Sequence, residues 1–135
     1  MNQLPNIAAM LRAQQVQALL LTNDAPESIQ YATGFGGLEG MVLITAAGKG
    51  FVLTDSRYIE AARARLTPLG FAVSVPPQGG PSAPALRALL EGEQITRLAF
   101  LAQSMSVQTH QRLTAALPDC TLEPLGEGLT RLRQI

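Results

Sequence analysis

The side chains best suited to chemistry are few and widely spaced in this chain. It has three aspartates (Asp24, Asp55 and Asp119), one histidine (His110) and one cysteine (Cys120). A two-metal hydrolytic centre needs several Asp, Glu and His side chains converging on one point. All three aspartates fall at the ends of predicted elements, so no metal site is expected. A nucleophilic triad needs a base and a group that orients it. His110 lies in helical register with Leu113 and Leu117 and reads as the edge of a core. Cys120 reads as a half-buried structural thiol. A single cysteine can form no disulfide within the chain, which fits a reducing, cytoplasmic setting.

A second chemical candidate is "YATGFGGLEGMVLIT", from Tyr31 to Thr45, with glycines at 34, 36, 37 and 40. A dinucleotide-binding fingerprint places G-x-G-x-x-G after a first strand and at the start of a helix. Gly34 and Gly36 fit the first two places, but Glu39 occupies the third. The loop also leads into an apolar run that reads as a strand. A phosphate-binding Gly-Lys-Ser/Thr is absent, and Lys49, the sole lysine, sits between two apolar runs. The glycines therefore read as shaping a tight surface loop, where they tolerate positive φ.

Arg57 is the remaining oddity. The spacing predicts a helix starting at Asp55 or Ser56, with either side chain able to cap it. Arg57 then stands in the first turn, where the helix dipole disfavours a cation. Either Asp55 offsets that charge, or Arg57 faces an anion, a partner subunit or a substrate carboxylate. Tyr58 would pack beside the same surface.

These residues need elements to position them, and 135 residues with 47% hydrophobic composition suffice for one domain with a real core. Leu4 to Gln15 reads as a helix, Val16 to Asn23 as a strand covered on both faces, and Ser28 to Ala32 as a helical turn. Met41–Thr45 and Phe51–Thr54, joined by "AAGKG", read as a hairpin. A helix follows, then the strand "FAVSVPP", a helix from a Ser82 cap through Leu90 ended by Gly92, and a strand at Arg97–Ala102. The last elements are a helix at Ser106–Leu117 and a short strand at Thr121–Leu125. The alternation predicts an α/β fold, a mixed sheet of five to six strands with helices on both faces. Ten basic and ten acidic residues cancel, which argues against a nucleic-acid surface. No apolar run is long enough to span a membrane, and the N-terminus lacks the pattern of a signal peptide.

The stretch "QYATGFGGLEGMVLITAAGKGFVLTDSRYIEAARARL" resembles the N-terminal domain of the creatinase/prolidase/aminopeptidase P family, the Xaa-Pro peptidases. The residues that carry the resemblance are Tyr31, Thr33, Gly34, Phe35, Gly36, Gly37, Gly40, Thr54, Asp55, Arg57 and Tyr58, with Ser56 in place of a common glycine. The resemblance implies a ribonuclease-H-like fold over residues 1–128. It further implies that 129–135 start a linker to a C-terminal "pita-bread" metallopeptidase domain absent from the sequence.

In the family that second domain holds two divalent ions, Mn, Zn or Co, on two Asp, one His and two Glu, and a metal-activated hydroxide attacks the peptide carbonyl. None of those motifs is present, so neither catalytic residues nor a metal or cofactor are expected in this chain. The implied partners are the chain's own catalytic domain, a second copy in a homodimer, and short proline-containing peptides. The resemblance makes Phe35, Arg57 and Tyr58 candidates for a substrate rim or subunit interface. The competing reading packs Phe35 and Tyr58 against the sheet. An alternative function is a free-standing peptide- or protein-binding module that has lost catalysis. A nuclease is disfavoured, because Val16 to Thr22 carries no carboxylate.

Overall fold

Local signals place most of the elements where they are found. In the computed structural model, which describes residues 3–76 and 83–125, the first helix α1 spans Leu4–Ala13 with Pro5 in its first turn, where a missing N–H costs nothing. Strand β1, Ala18–Leu21, is buried at all four residues, as a strand covered on both faces must be. Helix α2, Pro26–Thr33, is a full eight residues, longer than the turn expected. Pro26 starts it, and Gly34 stops it at φ 75° with its N–H on the Gln30 carbonyl. The hairpin follows as β2, Met41–Thr45, and β3, Gly50–Leu53.

The next helix departs from expectation. α3 spans Ile59–Leu66, and its N-cap residue is Tyr58, with no side-chain cap. Asp55 is therefore not the cap of this helix. Its Oδ1 accepts the Arg57 N–H at 2.9 Å, and its carbonyl accepts the Tyr58 N–H. Asp side chains favour such turns two residues on, so the chain turns once before the helix begins. Arg57 accordingly lies ahead of the helix, not inside its first turn.

A 3₁₀ turn, Thr67–Leu69, leads into β4, Phe71–Ser74. Then come α4, Ala83–Gly92, and β5, Arg97–Leu101. Helix α5, Val107–Ala116, is capped by the Ser106 hydroxyl, which accepts the Thr109 N–H, and β6 is Thr121–Leu125. Gly92 is the last residue of α4; the left-handed residue beyond it is Gln94 at φ 58°. The expected Ser82 cap and the segment 129–135 lie outside the described residues.

The six strands form one sheet in the order β4-β3-β2-β1-β5-β6. β2 runs antiparallel to both neighbours, and the β1–β5, β3–β4 and β5–β6 pairs are parallel. The mixed sheet with helices on both faces is thus present. One face packs Ile7 and Leu11 of α1, Ile29 of α2 and Leu66 of α3 on Leu19, Leu21 and Ile44. The other packs Leu86 and Leu90 of α4 and Leu113 of α5 on Leu20, Leu43 and Leu98. At the hairpin tip Lys49 Nζ reaches Glu93 Oε1 at 3.1 Å, tying the turn to the end of α4.

Candidate functional site

The glycine loop is held from inside. Thr33 Oγ1 donates to the Ile29 carbonyl at 2.7 Å and accepts the Phe35 N–H at 3.1 Å. Phe35 is only 7% exposed and belongs to the core of the first face. This corrects the expectation of an exposed aromatic at a rim: the ring anchors the loop. Arg65 closes over it, with its guanidinium carbon 4.6 Å from the ring centroid and an N–H on the Gly34 carbonyl at 3.0 Å. Gly36 and Gly37 form the exposed tip, and Gly37 alone of the two has positive φ.

The far end of the loop is pinned at Gly40, whose N–H donates to Asn23 Oδ1 at 2.9 Å. A Cβ at this position would run into the Leu53 carbonyl oxygen, so only glycine lets the loop pass the end of β3. Beside it, the fully buried Thr54 donates its hydroxyl to the Glu39 carbonyl at 2.8 Å.

Glu39 and Asp55 are thereby delivered to Arg57. Arg57 binds Asp55 through Nε at 3.1 Å and through an Nη at 2.8 Å, and the same Nη meets Glu39 Oε2 at 2.7 Å. Three hydrogen bonds and a full charge, all from Arg57, hold the Asp55 carboxyl below its ordinary value, the side-chain bonds foremost. The carboxylates in turn push the guanidinium further up, Asp55 more than Glu39. The Arg57 guanidinium also lies 5.1 Å from the Tyr58 ring centroid, and Tyr58 is a half-buried ring packed against the first core. Arg57 remains well exposed, at 64% of its side chain. Two carboxylates around one guanidinium leave the patch with one excess negative charge. A cation or amino terminus would meet this surface more readily than a carboxylate would.

The remaining donors are dispersed. Asp24 accepts the Ser106 N–H at the start of α5, and Asp119 pairs with Arg87 at 3.5 Å. His110 stacks at a tilt on Phe100, ring centroids 5.0 Å apart. Burial pushes the Cys120 thiol up. No three His, Cys, Asp or Glu side chains among the described residues could hold a metal ion together, and no helix among them is long and apolar enough to cross a membrane.

One feature escaped sequence reasoning: a cleft of about 330 Å³ at the C-terminal end of β1, between the start of β2 and helices α4 and α5. Its residues come from four distant segments, and only the general tendency of α/β sheets to bind ligands beyond strand ends points there.

The family model described as the creatinase/prolidase N-terminal domain matches residues 3–135. Among solved structures, an Xaa-Pro aminopeptidase from Streptococcus pyogenes is 30% identical. It superposes with a TM-score of 0.83, over 97% of this chain and 95% of that one. An aminopeptidase P from Streptococcus thermophilus is 27% identical, with a TM-score of 0.83 over 97% and 95% of the two chains. An Xaa-Pro dipeptidase from Bacillus anthracis, 22% identical, shares the fold with a TM-score of 0.85; there 98% of this chain covers only 35% of that one. Comparison with curated protein sequences yields no match.

Proposed function

Because the chain belongs to the creatinase/prolidase N-terminal domain family, we propose that it serves as the non-catalytic N-terminal domain of a metal-dependent Xaa-Pro dipeptidase or aminopeptidase. The observation that carries this reading is the family match over residues 3–135, joined to a donor set that does not fit a two-metal centre among the described residues. The divalent ions, Mn, Zn or Co, and the hydrolytic step belong in this reading to a following domain. The coverage of only 35% of the Bacillus anthracis dipeptidase supports such an arrangement. The setting proposed is cytoplasmic, in keeping with the lone half-buried thiol of Cys120.

The domain's own contribution is to hold a homodimer together and to narrow access to the active site for short proline-containing peptides. Arg57 and Tyr58 remain the residues proposed to do this, now with Glu39 and Asp55, which fix the guanidinium and supply the negative charge. Such a patch suits the amino terminus of a peptide or a basic side chain of a partner subunit.

The test is a hydrolysis assay on an alanyl-proline dipeptide with Mn²⁺. The 135-residue chain alone leaves it intact, whereas a polypeptide joining this chain to its metal-binding domain cleaves it. Turnover by the chain alone overturns the division of labour. In the joined protein, Arg57→Ala should raise KM for a tripeptide substrate several-fold, or weaken the dimer in sedimentation. An unchanged KM together with an unchanged dimer removes Arg57 from the rim.

A further inference from the structure

The cleft at the end of β1 has the properties of a built site and no role in the reading above. Thr22 continues the side of β1 that carries Ala18 and Leu20 toward the second face, and it lines the cleft. It is only 8% exposed, yet its hydroxyl makes no hydrogen bond among the described residues. No buried side-chain polar atom among the described residues lacks a partner, so this hydroxyl reaches solvent in the cleft, where a ligand can take the place of water.

The charges around it are opposed. Arg112, on α5, lines the same cleft and forms no ion pair or hydrogen bond among the described residues. Asp24 stands at the start of α5, where its Oδ2 takes the Ser106 N–H at 3.0 Å. That bond, more than any other influence, keeps its carboxyl below the ordinary range, and the Arg112 charge adds to the effect. Gly40 and Asn23 close the wall by their mutual 2.9 Å hydrogen bond, and Thr109 completes it with a side chain that is itself buried.

We propose that this cleft binds a small zwitterion, a free amino acid or dipeptide, with its carboxylate on Arg112, its ammonium on Asp24 and a hydrogen bond to the Thr22 hydroxyl. Opposite charges that line one cavity can meet both charged groups of such a molecule at once. An anion alone meets the Asp24 carboxylate, and a cation alone meets Arg112, so each single charge loses what the zwitterion gains. The volume, about 330 Å³, lies at the lower end of small-molecule sites and suits one or two residues. The proposal does not depend on the peptidase-domain reading, since the patch around Arg57 is made of different side chains.

The test is NMR titration of the ¹⁵N-labelled chain with L-alanine and with glycylglycine, against acetate and methylammonium. Saturable shifts are expected at the amides of Asn23, Asp24, Gly40 and Thr109 for at least one of the zwitterions. Acetate and methylammonium should bind at least tenfold more weakly. Arg112 is exposed, so Arg112→Gln should keep the fold, seen as an unchanged spectrum elsewhere, and weaken binding at least tenfold. Thr22→Val should weaken it several-fold. The proposal is overturned if neither zwitterion gives saturable shifts in the millimolar range, if acetate binds as tightly, or if Arg112→Gln binds unchanged.

Discussion

At the scale of single residues, Gly40 and Thr54 decide whether the glycine loop holds its shape. Gly40→Ala places a methyl against the Leu53 carbonyl, and a clash with backbone has no flexible side chain to absorb it. The expected loss is about 1–3 kcal/mol, as for an overpacked interior, read as a lower midpoint in urea. Thr54→Val keeps the volume but leaves the Glu39 carbonyl without its donor. About 1 kcal/mol of destabilisation is expected, and because Glu39 then loosens, the Arg57–Glu39 pair should become more salt-sensitive.

The sequence made these residues conspicuous without revealing their work. Gly34 and Gly40 stood out as glycines, and a helix stop and a backbone crossing explain them. Phe35 looked like a rim aromatic, because pattern alone does not distinguish an exposed ring from one turned into the core. Arg57 stood out as a cation in the first turn of a helix; it lies ahead of that helix, and carboxylate partners offset its charge. Asp55 was legible as one of them, but Glu39 lies eighteen residues away and only the hairpin brings it in.

At the scale of elements, helix starts and ends carry the testable energies. Asp24 holds the start of α5, and the depressed pKa of its carboxyl makes this a pH-dependent contribution. It is fully present above the unfolded carboxylate value near ~3.9 and fades as pH falls through the folded one. Asp24→Asn should therefore cost stability at pH 7 and flatten the acid limb of a stability-versus-pH curve below about pH 4.

Two helices end on the same device. Gln15 and Gln94, at φ 61° and 58°, follow α1 and α4 while Val16 and Ile95 send their N–H groups back to Leu11 and Leu90. Side chains at left-handed φ carry a cost of roughly 1–2 kcal/mol. Gln15→Gly or Gln94→Gly should each raise the melting temperature by a few degrees, as seen in differential scanning calorimetry. Strand and helix positions were readable from hydrophobic periodicity and from proline and glycine. These two ends were not, because glutamine gives no warning of left-handed backbone. The turn before α3 was also missed: an Asp-x-Arg start serves a turn as well as a cap.

At the scale of the whole molecule, the sheet divides two apolar layers that share every central strand. Leu19 and Leu20, adjacent in β1, point into different layers, so neither layer can open without exposing the other's strands. Both tyrosines, Tyr31 and Tyr58, pack on the first layer, and the chain has no tryptophan. Leu86→Ala, in the second layer, should lower stability by about 2–5 kcal/mol. It should do so equally by tyrosine fluorescence and by far-ultraviolet circular dichroism. Separate transitions by the two probes would show that the layers unfold independently. Alternation of helices and strands made the α/β class legible. The reversal between β2 and β3 was legible in the hairpin, but the order of all six strands depended on pairings across the chain that no local signal encodes.

The ion pair at the hairpin tip has a practical sequel. Lys49 is the only lysine in the chain, so an amine-directed dye or cross-linker has one side-chain target, set at the turn between two interior strands of the sheet. A fluorophore placed there would report the distance between tips in a pair of copies, and a spacer of known length that couples Lys49 to Lys49 would measure how two such chains face each other.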